Sequence, residues 1–401
     1  MCLASSQHMQ DGNQQWLKGF CSTPSSLNPV PQLIIVWYTL TMSDRLASRR
    51  AISALAQDTD ALLAHQAGDH NTMWLGAWSM VAAINKRLVL QPSDTAMDPA
   101  LLDYDMHDLW HIYWHNAINT EPDSPKLDRL VLHIIQTREQ GHEEASTSDG
   151  RRIWTDLPFL LQDMTAYWTN ECAAMSSSER LSGAQFLALL AAAGTTADDA
   201  FCGISLIVLR DALETPRPLG RLTPTVRDAA RQTRDLSVAD LLPAANAWII
   251  TAGRKLVQLS DGERDRFSPE VGRLGELVAP SPAVAAPPIP ASGTSRVVPT
   301  AEPLLQELPR HGGFSPQRWA WWLRRLEAIA SLAVQQEQQE QQGLANVSEE
   351  DRGRALALFA HGMMDNMLRI AAQTSGLLGR LSRQPGALVR RRPPVRYFGP
   401  R

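Results

Sequence analysis

The chain has 401 residues, of which 44% are hydrophobic and 20% carry a formal charge. This balance is typical of soluble globular proteins and excludes a wholly disordered, collagen-like or fibrous chain. At roughly 150 residues per domain, the length predicts two or three domains. The longest apolar run, residues 33–40, is far shorter than the roughly 20 residues that cross a bilayer, so we expect no membrane-spanning segment.

The cysteines and the charges restrict the function further. The four cysteines lie far apart and form no C-x-x-C pair, so we expect no disulfide scaffold and an intracellular protein, cytoplasmic or nuclear. Lys and Arg total 38 against 42 Asp and Glu, yet the last 24 residues hold seven arginines and no acid. A body this acidic argues against a nucleic-acid cradle formed by the whole protein.

The basic tail is a separate candidate site. Its arginines stand beside Pro393 and Pro394, which exclude a helix, and an extended basic segment suits RNA phosphates or an acidic protein surface. The alternative is a solvated, disordered tail. The candidate residues are Arg390, Arg391, Arg392 and Arg396.

At the other end, residues 1–42 look unlike the rest of the chain. They show no helical period, and their apolar run comes too late for a secretory signal. We expect a disordered segment or a gene-model extension. Met42, followed by Ser43 and Asp44, fits a true start as well as it fits an internal methionine, and both possibilities stay open.

From residue 43 onward, apolar residues recur at helical spacing. Five of them between Leu127 and Ile135 form one stripe, and Ser124 with Pro125 supplies a helix start. Asp98-Pro99 indicates a loop, and Thr196 with Asp199 indicates a capping box, as does Ser237 with Asp240. The predicted helices are 44–67, 71–90, 105–119, 125–140, 157–175, 178–193, 196–214, 237–260, 316–342 and 348–376.

Alternating strand patterns are absent, so we predict an all-α fold, an irregular multi-helix globular bundle. Seven prolines between residues 279 and 303 predict a Pro-rich linker or surface loop. We expect the helices beyond it to dock on the main domain, because two one-sided helices cannot bury themselves. The predicted organisation is an extension at 1–42, a main helical domain at 43–278, the Pro-rich segment at 279–303, docking helices at 304–378 and a disordered basic tail at 379–401.

Several ordered landmarks run along the chain: Leu109-Trp110, Ser124-Pro125, Asp128 to Val131, Ile153 to Pro158, and Phe314 to Trp319 with Trp322. Together they resemble a fungal family of helical proteins, the domain of unknown function 3632. The resemblance covers about residues 70–335 and implies a helical fold. The family has no assigned activity, cofactor or catalytic residues, so the resemblance implies none for this chain. Burial in the core accounts for its aromatic landmarks, with a ligand-stacking groove as the alternative.

One stripe of histidines is a candidate metal-binding site. His107, His111 and His115 stand four residues apart along one predicted helix, so neighbouring imidazoles can reach one zinc or nickel ion. A solvated polar border of the helix is the alternative. No second metal-binding motif accompanies them, and we predict no cofactor.

The sequence therefore favours a non-catalytic helical protein that acts through contacts with other proteins. Nucleotide-binding and nucleophile motifs are absent, which disfavours an enzyme without excluding one. The alternatives are a metal-binding protein or enzyme that uses the histidine stripe, and a weak nucleic-acid binder that uses the arginine tail.

Overall fold

The structure of the protein is a computed structural model. The residues it describes all lie in the compact unit that spans residues 69–401. The extension at 1–42, the Pro-rich segment at 279–303 and the tail at 379–401 lie outside them, so the predicted domain boundaries stay predictions. The described residues are 77–78, 80–86, 88, 98–139, 145–278, 312–343, 350–374 and 376.

These residues confirm the all-α prediction. They contain no strand, and one isolated β-bridge joins Ser146 to Arg152. None of the described helices is both long and apolar enough to span a membrane. After helical residues at 77–78, 80–86 and 88 come α1 (Pro99–Ile118), α2 (Pro125–Glu139), α3 (Leu160–Glu171), α4 (Ser177–Ala193), α5 (Cys202–Leu209), α6 (Val238–Asp261), a short α7 (Pro269–Gly272), α8 (Pro316–Gly343) and α9 (Glu350–Gln373).

The start of α1 corrects the predicted loop at Asp98-Pro99. Asp98 is the N-cap, and its Oδ1 accepts a hydrogen bond of 3.0 Å from the Ala100 amide. Proline suits the next position because the first helical amide needs no intrahelical partner. The helix therefore begins at Pro99, six residues before the predicted 105.

Capping also explains where α6 begins. Ser237 and Asp240 form the predicted capping box, in which the Ser237 Oγ accepts from the Asp240 amide at 3.2 Å and the Asp240 carboxylate accepts from the Ser237 amide at 2.9 Å. Each side chain pairs an amide that the helix leaves free.

The predicted helix at 196–214 is wrong in its first turn. Asp198 and Asp199 have φ angles of 54° and 57°, in the left-handed region that interrupts a helix. The break falls within a short 3-10 turn at Ala197–Asp199, and α5 begins at Cys202. The chain then continues as a π-helical turn, Arg210–Glu214. Asp199 pairs with Lys255 at 2.8 Å, a tertiary contact in place of the predicted capping box.

Two helices lie at the centre of the packing. α4 contacts α1, α2 and α6, and α6 also contacts α5 and α9. The aromatic landmarks belong to this core, as their core interpretation predicts. The tryptophans with less than 2% exposure are Trp110, Trp114, Trp154, Trp168, Trp248, Trp319 and Trp322.

α8 and α9 pack along each other as a hairpin. Six residues connect Gly343 to Glu350. They reach only about 20 Å when fully extended, far less than the length of α8, so the two helices run antiparallel. α9 packs against α6, and α8 packs against the π-helical turn.

Candidate functional site

His107, the first histidine of the stripe, is held by a neighbouring helix. Its Nδ1 lies 2.7 Å from Asp163 Oδ2 on α3, and its ring stacks on Phe159 with centroids 4.3 Å apart. Asp163 is buried, so the imidazole supplies a partner for a carboxylate inside the fold. This contact occupies one of the two His107 ring nitrogens.

His111 and His115 do lie side by side. Their ring centroids are 4.2 Å apart, and His111 is exposed next to Tyr167. Burial, helped by the neighbouring His111, lowers the pKa of His115 from 6.5 to about 4. His115 is therefore neutral at neutral pH, the form that can bind a metal ion.

Of the three histidines predicted to bind a metal ion, only His111 and His115 lie next to each other. Among the residues that the structure describes, no three His, Cys, Asp or Glu side chains are grouped so that they could hold a metal ion. Two imidazoles alone are fewer ligands than a protein zinc site uses. The metal site on this stripe stays a prediction.

A buried pair that the sequence did not reveal lies on the neighbouring helix face. The Tyr113 hydroxyl is 2.5 Å from His133 Nδ1, and Trp78 stacks on the His133 ring at 5.1 Å. Burial lowers the pKa of His133 to about 4 and raises that of Tyr113. Both groups are neutral at neutral pH, as a hydrogen-bonded pair in a core requires.

The most deeply buried charges join α8 to the π-helical turn. Glu214 and Arg318 have 0% exposure, and Arg318 Nε lies 2.7 Å from Glu214 Oε1. Glu214 also accepts from Trp322 Nε1 at 2.7 Å and from the Gly275 amide at 2.8 Å. The other Arg318 N–H groups donate to Glu214 Oε2 and to the backbone carbonyls of Gly272, Arg273 and Gly313.

This network stabilises the fold and leaves little capacity for chemistry. All five guanidinium N–H groups of Arg318 have partners. A buried ion pair is tolerated when its remaining hydrogen-bonding positions are satisfied in this way. The only available sequence signal was a charged residue inside an apolar stripe, and nothing in the sequence indicated a partner 104 positions away.

Cys172 and Cys202 are buried. Burial raises the pKa of the Cys172 thiol to about 11 and that of Cys202 to about 12. Both are therefore thiols at neutral pH, and the thiolate that acts as a nucleophile is scarce.

A surface cleft of about 370 Å³ lies between α6, α9 and the end of α4. Arg254, Lys255 and Arg369 line it. No sequence pattern links these three residues, because two lie on α6 and the third lies more than 100 residues away on α9. The predicted tail residues Arg390, Arg391, Arg392 and Arg396 lie outside the described residues, and their role stays a prediction.

These observations define an all-α protein whose buried charges serve the packing of its helices. The chain belongs to the family described as "Protein of unknown function (DUF3632)", which it matches over residues 110–326. The predicted resemblance is therefore confirmed. The match runs from α1 to α8 and includes both partners of the Glu214–Arg318 pair.

A curated relative comes from the fungus Penicillium oxalicum and is named "Oxopyrrolidines biosynthesis cluster protein G". The two sequences are 32% identical over 246 residues, which cover 58% of this chain and 61% of the relative. The chain thus matches about three fifths of the relative's length. No solved structure matches the chain.

Proposed function

We propose that this protein is a non-catalytic helical protein that binds another protein through the apolar surface of the α8–α9 hairpin. The carrying observation is the exposure of apolar side chains there: Leu358 is 62% exposed and Leu332 is 41% exposed. Because the helices run antiparallel, both residues lie in the half of the hairpin nearest the connection.

Leu332 and Leu358 are exposed on two helices that pack together, and two exposed leucines on one hairpin favour a binding surface over a single surface leucine. The opposite face of α8 is fully engaged, since Trp319, Trp322 and Leu326 are buried in the core. The hairpin can therefore present its outer side to a partner while its inner side stays packed. The matching partner is a protein with a complementary apolar patch.

The chemistry of the described residues supports a non-catalytic role. The buried Arg180 donates to the carbonyls of Cys172, Met175 and Asp240, as Arg318 donates to its own neighbours. The two described cysteines are protonated thiols. These groups act as structural partners, and we assign the function to the exposed side of the α8–α9 hairpin.

The name of the Penicillium relative places that protein in a biosynthesis cluster. We extend this context to the present chain as part of the proposal. A non-catalytic member of a biosynthetic pathway would act by contacting one of the pathway's other proteins.

The test compares lysine substitutions on the hairpin. Leu332→Lys and Leu358→Lys place a charge on the apolar surface, and Ser331→Lys adds the same charge at an exposed neighbour of Leu332. Each tagged chain is expressed in the organism of origin, and co-purifying proteins are quantified. The pair is then reconstituted from purified components.

We expect one stoichiometric partner to co-purify with the wild type and with Ser331→Lys. Both leucine variants should lose it. Equal recovery with all four chains would contradict the proposed surface. Turnover of a pathway intermediate by the purified protein alone would contradict the non-catalytic role.

A further inference from the structure

The basic cleft lies beside the point where α6 and α9 approach closely at Gly253. A Cβ atom at this position would lie 2.8 Å from Ile370 Cδ1, too close for ordinary packing. The glycine therefore lets α9 pack directly on α6. Arg254 and Arg369 adjoin this contact in sequence, and both line the cleft.

All the charged side chains that line the cleft are basic. Arg254, Lys255 and Arg369 line the cleft, and no Asp or Glu does. Lys255 is neutralised, because its Nζ lies 2.8 Å from Asp199 Oδ1 and donates to the Ala191 carbonyl at 3.0 Å. The two arginines carry the positive charge that remains.

Neither arginine forms an ion pair within the part of the chain that the structure describes. Arg254 is exposed, and Arg369 donates to the neutral Asn366 side chain at 3.1 Å. Both differ from Arg318, whose guanidinium is fully engaged by the fold. They stand out further because the chain as a whole carries a net charge of −4.

The rest of the lining suits a small organic molecule. The volume of the cleft, about 370 Å³, falls within the range of pockets that bind small ligands. Ile250 and Ile370 supply apolar surface, and Thr251 and Gln373 supply hydrogen-bonding groups. The carboxyl ends of α4 and α9 lie near the margin and repel anions weakly, so the guanidinium groups must provide the attraction.

We propose that this cleft binds a small organic anion that bears a carboxylate or phosphate group. Arg254 and Arg369 contact its oxygens, because planar guanidinium groups match the geometry of carboxylate and phosphate. Ile250 and Ile370 contact its carbon skeleton. This ligand site is independent of the hairpin surface and of the protein partner proposed above.

The experiment is isothermal titration of the full chain with citrate and, separately, with inorganic phosphate, at constant ionic strength set with sodium chloride. The variants Arg254→Gln and Arg369→Gln remove one charge each while keeping a long polar side chain. Arg129→Gln is the matched control, because Arg129 is an exposed arginine on α2, away from the cleft. A chain with Arg390, Arg391 and Arg392 replaced by Gln controls for binding by the tail.

We expect saturable binding of at least one probe to the wild-type chain, weakened about tenfold by each cleft substitution and unchanged in both controls. Tighter citrate binding would assign the carboxylate chemistry, and tighter phosphate binding the phosphate chemistry. Failure of both probes to saturate would overturn the proposal, as would equal weakening by Arg129→Gln or the tail substitutions. Thermal unfolding of each variant, unchanged from the wild type, excludes a loss of fold as the cause.

Discussion

At the residue scale, the histidines of this protein divide according to what surrounds them. His107 contacts a carboxylate, whereas His133 is buried, His115 is half-buried, and both are neutral at neutral pH. The same residue type therefore contacts a buried carboxylate in one place and a neutral hydroxyl in another. Spacing along the helix reveals only that three of them share a stripe.

The neutral histidines predict acid sensitivity. His133 has a pKa of about 4 in the folded chain and an ordinary value of 6.5. Below about pH 6.5 the unfolded chain binds the proton more readily, so the contribution of this histidine to stability is fully present above pH 6.5 and is lost as the pH falls toward 4. The measurement is the urea midpoint from pH 7 to pH 4.

His133→Gln should lose less stability than the wild type over that interval, although it starts from a lower value. His361→Gln, at an exposed position on α9, is the control and should follow the wild type. Parallel pH profiles for wild type and His133→Gln would contradict the assignment.

The histidine stripe makes a second residue-scale prediction. Because His107 is engaged by Asp163 and only His111 and His115 remain adjacent, we expect the purified, untagged protein to hold much less than one zinc ion per chain. Metal analysis of the wild type beside His111→Ala checks this. Stoichiometric zinc that disappears in the variant would instead support the metal-site alternative.

At the element scale, the Glu214–Arg318 pair attaches α8 to the π-helical turn. Removing one partner of a buried pair leaves the other charge uncompensated, so Arg318→Met should lower the free energy of unfolding by about 3–5 kcal/mol. Denaturant unfolding at neutral pH gives the value. The surface pair Arg227–Glu179, with its Arg 44% exposed, provides the comparison, and Arg227→Met should cost less than about 1 kcal/mol.

A double substitution tests whether the two charges act together. Glu214→Gln with Arg318→Met removes both charges, and its cost should be smaller than the sum of the two single costs. Additive costs would show that each residue acts through other contacts, such as the backbone carbonyls that Arg318 reaches.

At the scale of the whole molecule, the C-terminal hairpin is bound to the rest by packing as well as by the chain. α9 lies against α6, and α8 contributes Arg318 to a partner on the π-helical turn. The Pro-rich segment at 279–303, which connects the main helical domain to the hairpin, is predicted to be a linker or surface loop. The noncovalent contacts alone should therefore keep the hairpin in place.

Cleavage of the chain tests this expectation. With a specific protease site inserted between Ala286 and Pro287, the two fragments should co-elute in gel filtration after complete cleavage. The Arg318→Met substitution should promote their separation at low concentrations of urea. Fragments that separate without denaturant would contradict stable docking of the hairpin.

Much of the helical framework followed from local patterns. The apolar stripe of α2 and the Ser237–Asp240 box of α6 predicted their helices because periodicity and capping are properties of neighbouring residues. The sequence mispredicted helix starts where the backbone conformation of one or two residues decides where the helix begins. Asp98 looked like a loop residue and is a cap, and Asp198 and Asp199 looked like a first turn and break the helix.

The sequence by itself determined the helical class, most helix positions, the burial of its aromatic landmarks and the resemblance to its family. Only the tertiary structure decided that Glu214 meets Arg318, that His107 meets Asp163, and that Arg369 joins Arg254 at one cleft. The reason is physical: helix formation depends on residues three or four positions apart, whereas a site depends on which helix faces pack together. In this chain that packing joins residues separated by 56 to more than 100 positions.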